Sequence, residues 1–293
     1  MKPNSYFKND QIIRDNEFLL TYAVGQTDME YTIAYANDLK VLKSINDIPN
    51  ISSIITTTDL SEFVNPSKGL IISQNPQNDF YLLHNFMIEN NYMKPLQDSK
   101  IDESAIISPT SRIGENVVIG KNVVIKDYAI IESNVVIKDN CEIEQFAVIG
   151  ANSMQRTIID GKLFQLKYAG GVEIGERTRV LTGAIIQKPY QAFYTKIGHD
   201  SVISTRVVIG HGSKVGNRTF LSGGSGIAGN CIIGDEVWIG GGAIVSDGIN
   251  IGDNAKVLIG SVVVRNVMTK STVSGNFALD HKKNILNQVK LRQ

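Results

Sequence analysis

Residues 197–234 read IGHDSVISTRVVIGHGSKVGNRTFLSGGSGIAGNCIIG, and a branched aliphatic residue returns at every sixth place: Ile197, Ile203, Ile209, Val215, Leu221, Ile227 and Ile233. A period of six matches neither the 3.6 of a helix nor the alternation of a simple hairpin. It does match a solenoid whose coils are short flat strands joined by tight turns. Working outward, the series continues through Ile239, Val245, Ile251, Val257 and Val263, and an earlier series runs in sixes from Ile101 to Ile149. Residues 101–265 are therefore read as one repetitive β domain.

Two places before each aliphatic residue stands a small or β-branched one, as at Val117, Ala129, Cys141, Ser213, Thr219, Cys231 and Ala243. Alternate side chains of a strand share a face, so both positions point into the coil. The residue between them points out. That outward set includes Val118, Val124, Ile130, Val136, Val148, Val202, Val208, Phe220, Ile232, Trp238, Ile244 and Val262. Apolar stripes of this extent predict a subunit interface, hence an oligomer. Glycine often follows the aliphatic residue, as at Gly114, Gly120, Gly198, Gly210, Gly216 and Gly234, and is read as the turning residue of each hexad.

The chain has 293 residues, room for the solenoid and one ordinary domain, with 29 basic residues against 29 acidic ones. A balanced charge gives no steering toward nucleic acid or an anionic membrane. No apolar run is long enough to insert in a membrane, and MKPNSYFKND lacks the apolar core of a signal peptide, so a cytoplasmic protein is expected. Cys141 and Cys231 fall on inward hexad positions and read as packing.

Residues 1–100 lack the hexad and read as a small α/β domain. Strand-like runs occur at 31–36, 53–57 and 70–73, and Phe80, Leu83 and Met87 fall at helical spacing before Pro95. Two loops interrupt the solenoid, at 151–171 and 187–196. The second, QKPYQAFYTK, is read as a phase shift that leaves Ile186 and Ile197 eleven apart instead of twelve. Loops that leave a regular scaffold are where function concentrates. Residues 266–293 read as a cap, closing the last open edge, followed by a short helix with Ile285, Leu286 and Val289 on one side.

The four histidines are His84, His199, His211 and His281. His84 sits in the predicted helix and His281 in the tail, so both read as structural or solvated. His199 and His211 each follow an Ile-Gly pair at a turn. A zinc site would need three converging histidines, and the solenoid supplies these two, so no metal is expected.

The hexads resemble the left-handed parallel β-helix acyltransferases, in which three hexads make one triangular coil and three subunits pack around an axis. VVIGHGSKVGNRTFLSGGSGIAGNCIIG, residues 207–234, resembles the corresponding stretch of the bacterial UDP-3-O-acylglucosamine N-acyltransferase family, where a histidine in this place is the general base. The resemblance implies a mainly β, left-handed parallel β-helix with a small N-terminal α/β domain and a short C-terminal helix, assembled as a homotrimer. It also implies His211 as base. With three hexads per coil, His199 and His211 occupy different corners, while Gly229 lies one coil from His211, at a strand spacing of roughly 4.8 Å. Its N–H would serve as oxyanion donor. An amine attacking a thioester must lose a proton, which neutral imidazole can take, while the developing oxyanion needs a fixed N–H.

Two departures from the family pattern redirect the acceptor. The aromatic residues that stack uracil are expected within TIAYANDL, residues 32–39, where Ile33 and Leu39 stand instead. The family's Gly-Phe-Gly loop and Asp-Arg-Gly turn are replaced by ANSMQRT, residues 151–157, and by Gln187, Lys188 and Pro189. The expected activity is therefore N-acyl transfer from acyl-CoA to a nucleotide-linked amino sugar, a dTDP-linked amino-deoxyhexose, for surface polysaccharide. Tyr35, Tyr190, Phe193, Tyr194 and His199 are the candidate substrate contacts. The alternatives are the lipid A enzyme, using acyl carrier protein, and a non-catalytic solenoid scaffold.

Overall fold

The computed structural model describes residues 1–22, 30–93, 95–275 and 280–291. The hexads close three to a coil, and the coils stack as a left-handed parallel β-helix. Three parallel sheets of eight, nine and eight strands form its faces. The first face carries Ile119, Ile137, Ile174, Ile197 and Val215 in vertical register. The second carries Ile125, Ile143, Val180, Ile203 and Leu221. The third carries Ile131, Ile149, Ile186, Ile209 and Ile227. These inward side chains form one continuous buried core from Val117 to Val267. Burying each such aliphatic side chain contributes roughly 1.5–3 kcal/mol.

The turns work differently from the sequence reading. The left-handed backbone conformation falls three places after the aliphatic residue, at Asn116, Asn122, Tyr128, Asn134 and Asn140, and again at Gly212 with φ +69°. The glycine directly after the aliphatic residue is there for closeness. A Cβ on Gly210 would stand 2.5 Å from the backbone of Ala228 and Gly229 in the next coil. Gly150, with φ +89°, does combine this place with a left-handed backbone.

Both loops leave the corner between the third and first faces. The first follows Ile149 and contains a hairpin that pairs Arg156–Ile159 with Lys162–Gln165. The second is an insertion of five residues and not a one-residue phase shift: Ile186 and Ile197 stand on successive faces, where six residues would suffice and eleven are present. Gly171–Ile174 and Tyr194–Ile197 resume the first face after each loop.

The N-terminal residues form a five-stranded sheet from β1 (Ile12–Arg14), β2 (Leu20–Thr21), β3 (Thr32–Ala36), β4 (Ile51–Thr56) and β5 (Gly69–Ile72). Its order is β1-β5-β4-β3-β2, with β1 antiparallel to β5. Helix α1 (Leu39–Ile45) begins at Asp38, whose side chain accepts the N–H of Val41. Helix α2 (Pro76–Glu89) buries Phe80, Leu83 and Met87 against the sheet, as their spacing predicts. The same helix fastens to the first loop. His84 donates from Nε2 to the carbonyl of Lys167 at 3.0 Å and accepts at Nδ1 from Thr21 at 2.8 Å. Burial lowers its pKa to about 4, so the ring is neutral with both nitrogens used. Asn85 adds bonds to Gln165 O and Lys167 N at 2.9 Å each.

The outward apolar residues divide among the faces. Val124, Val202, Phe220 and Trp238 lie on the second face, and Val118, Val136 and Ile232 on the first. On the third face the outward column begins at Arg112 and is apolar from there on, through Ile130, Val148, Ile185, Val208, Ile244 and Val262, with Gly226 between Val208 and Ile244. Beyond Asn266 the coil continues one step further than the repeat suggests, with Thr272–Val273 pairing on the second face. Helix α3 (His281–Leu291) follows. The side chains of Ile285 and Leu286 lie outside the described residues, and Val289 is exposed. No helix among the described residues is long and apolar enough to cross a membrane.

Candidate active site

The corner between the third and first faces carries His211, Gly229 and Asp247 on three successive coils, eighteen residues apart each time. On the neighbouring corner the same turn position builds a ladder. There the N–H of His199 bonds to Asn217 Oδ1 at 3.0 Å, that of Asn217 to Asp235 Oδ1 at 2.8 Å, and that of Asp235 to Asp253 Oδ1 at 2.9 Å. Glycine at 229 interrupts such a ladder, because it offers no side-chain acceptor to His211 below. The gap it leaves is filled by side-chain atoms of the coils below and above. His211 Nε2 would lie 2.6 Å, His211 Cε1 2.8 Å and Asp247 Oδ1 2.8 Å from a Cβ placed on Gly229. The buried Gly229 therefore adjoins both an imidazole nitrogen and a carboxylate oxygen. Among the described residues, no protein acceptor engages the Gly229 N–H.

His211 is half-buried, and burial lowers its pKa below the ordinary histidine value, with the Asp247 carboxylate acting in the opposite direction. The ring is thus kept neutral and able to accept a proton near pH 7. The carboxamide nitrogen of Gln155 reaches Nε2 at 2.8 Å, so Nε2 carries the lone pair and Nδ1 the proton. Gln155 comes from the first loop, where its own N–H bonds to Tyr168 Oη at 3.2 Å and its carbonyl accepts from Leu166 N at 3.3 Å. An imidazole nitrogen, a carboxylate oxygen and a carboxamide nitrogen thus converge at this corner.

The other sequence-predicted residues fall in three further places. Phe193, on the second loop, packs its ring edge 3.4 Å from the position of a Gly212 Cβ, next to His211. Tyr35 and Tyr190 line a cavity of about 400 Å³ with Tyr22, Asn37, Asp38 and Gln191, set between the N-terminal sheet and the second loop. Their rings join through Tyr81, at centroid distances of 6.0 and 6.4 Å, and burial raises both hydroxyl pKa values. Tyr194 instead bonds to Gln97 and is raised to about 12 by burial. His199 lies on a different corner from His211, as three hexads per coil require. Its Nδ1 is 2.6 Å from Asp200 Oδ2, and Asp200 is held well below the usual carboxylate range, first by Arg177 and then by His199.

Sequence reasoning missed Gln155 and Asp247. Gln155 sat within the quoted ANSMQRT loop and could be assigned only once the hairpin was seen to fold back over the corner. Asp247 was accessible by counting one coil beyond Gly229. Lys188, in the turn that departs from the family pattern, is buried, and its pKa is lowered by that burial. Ile33 is buried in the N-terminal core and cannot stack a base, as its alignment suggested.

A family model described as bacterial transferase hexapeptide, six repeats, matches residues 116–151. Those residues carry the repeat that this model describes. Solved structures similar to this hexapeptide chain include the UDP-N-acetylglucosamine acyltransferase of Francisella novicida, at 25% identity over 65% of this chain and 71% of that one, TM-score 0.49. The UDP-N-acetylglucosamine O-acyltransferase of Moraxella catarrhalis shares 28% over 64% and 76%, TM-score 0.46. The UDP-N-acetylglucosamine acyltransferase of Campylobacter jejuni shares 23% over 66% and 85%, TM-score 0.47. No curated relative matches.

Proposed function

We propose that the protein is an N-acyltransferase that moves an acyl group from acyl-CoA to the amino group of a nucleotide-linked amino sugar, with His211 as general base and Gly229 as oxyanion donor. The observation that carries this reading is the contact of His211 Nε2 with the Gly229 layer, 2.6 Å from the position of a Cβ there. The acceptor nitrogen displaces the Gln155 amide and attacks the thioester carbon. Its proton passes to Nε2 while the carbonyl oxygen takes negative charge facing the Gly229 N–H. The C–S bond then breaks, and the proton moves from imidazolium to the departing thiolate. The Tyr35–Tyr190 cavity would hold the nucleotide base, and the second loop, which contributes Tyr190 and Gln191 there and Phe193 beside Gly212, would link it to the site.

The functional unit is proposed to be a homotrimer packed through the apolar third face. The acceptor is proposed to be a dTDP-linked amino-deoxyhexose, because Ile33 is enclosed in the core where the related enzymes would present an aromatic ring. A mass-spectrometric screen of nucleotide amino sugars with acetyl-CoA and 3-hydroxyacyl donors, the latter on CoA and on acyl carrier protein, tests both. Product from a dTDP-amino sugar and acyl-CoA supports the reading. A preference of about tenfold or more in kcat/KM for UDP-3-O-acylglucosamine would replace it with the lipid A reaction.

A further inference from the structure

Asp247 stands one coil above Gly229 and two above His211 on the same corner. Because residue 229 has no side chain, the carboxylate and the imidazole approach the same point from opposite sides, Oδ1 within 2.8 Å of it and Nε2 within 2.6 Å. The carboxylate is exposed, and among the described residues no hydrogen bond or ion pair occupies it. It adjoins the Nε2–Cε1 edge of the ring, the edge that takes the acceptor's proton. A carboxylate behind Nδ1 would orient the ring; here it faces the incoming group.

We infer that Asp247 is the specificity-determining residue of this site, receiving the acceptor's ammonium group and holding it at Nε2 of His211, so that nitrogen is acylated in preference to oxygen. The inference rests on the acyl-transfer reading above. An ammonium gains charge-assisted hydrogen bonds from the carboxylate that a neutral hydroxyl cannot match. The balance is R–NH3⁺ plus thioester giving amide, thiol and one proton. The first proton leaves the ammonium for water, freeing the lone pair. The second passes through Nε2 of His211 to the thiolate as the C–N bond forms and the C–S bond breaks.

The test compares the full-length protein with Asp247→Asn and Asp247→Glu, using acetyl-CoA with dTDP-4-amino-4,6-dideoxyglucose and with its 4-hydroxy analogue, alongside the wider amino-sugar panel. In Asp247→Asn the KM for the amine should rise about tenfold or more with kcat changed much less, and kcat/KM for the hydroxyl analogue should hold. Asp247→Glu should restore most of the amine preference. NMR titration of the His211 imidazole should give a lower pKa in Asp247→Asn without any substrate. An unchanged amine-to-hydroxyl ratio overturns the role while leaving acyl transfer standing, and identical His211 titrations overturn the facing of carboxylate and ring. A wild-type protein that acylates no amine in the panel removes the acyl-transfer reading, and this inference with it.

Discussion

Gln155 lies 2.8 Å from Nε2 of His211, so an inserted loop covers the imidazole nitrogen that faces the Gly229 layer. Under the proposed acyl transfer the amide stands where the acceptor nitrogen would come, and it is neutral and exchangeable. Gln155→Ala should therefore leave kcat within about tenfold of wild type while increasing the fraction of the Nε2–H tautomer, read from imidazole nitrogen shifts. A loss as large as that of a His211 variant would show that Gln155 acts in the chemical step.

Removing the base should be far costlier. His211→Asn should lower kcat by roughly two to four orders of magnitude with unchanged thermal stability. Burial lowers the His211 pKa, so the base stays neutral to lower pH than an ordinary histidine. Accordingly kcat/KM should fall only as pH drops below about 6.5, the unperturbed value. An acid limb above that value would contradict the assignment.

Gly229→Ala would place a methyl group 2.6 Å from Nε2 and 2.8 Å from the Asp247 carboxylate. Both are side-chain atoms at a half-open corner, so the coil should fold while the imidazole is displaced. Turnover should fall by roughly 10²-fold or more, with a circular dichroism spectrum and melting temperature close to wild type. Full activity would show that the ring can be accommodated elsewhere.

His84 gives a second, structural pH dependence. Its folded pKa is about 4 and its unfolded value about 6.5, so between them the unfolded chain binds a proton that the folded one refuses. Stability is therefore undiminished above about 6.5 and declines as pH falls toward 4, by roughly 3 kcal/mol in all. Denaturant unfolding across this range should show the decline, and His84→Gln should flatten it while lowering stability near neutrality.

Ile244→Asp tests assembly. Ile244 leans over Gly226, with its Cδ1 2.9 Å from the position of a Gly226 Cβ, and lies in the apolar column from Ile130 to Val262. Sedimentation should give a trimer for the wild type, and a buried unpaired carboxylate should dissociate or precipitate the variant. A wild-type monomer at micromolar concentration would leave the column without its proposed partner.

The period of six was sufficient to identify the solenoid, because each inward residue reports the same geometric constraint and the series is long. The stacking of Gly229 on His211 followed by arithmetic once three hexads made a coil. What stayed hidden depends on folding at a distance. Gln155 reaches the ring only because the hairpin at Arg156–Gln165 bends back, and no periodicity encodes that bend. Tyr35 and Tyr190 share a cavity although 155 residues separate them, through the packing of α2 against the second loop. The role of the hexad glycines was misread because crowding and turning both select glycine, and only backbone angles distinguish Gly210 from Gly212.

The stacked corner is also a graduated scale. Inserting or deleting one whole coil above or below a side chain shifts it along the axis by one strand spacing, roughly 4.8 Å, without turning it to another face. The axial distance between two residues of one corner is thus set by an integer, the number of coils between them. Chains of this kind could change the axial separation of two corner residues only in discrete steps, one coil at a time.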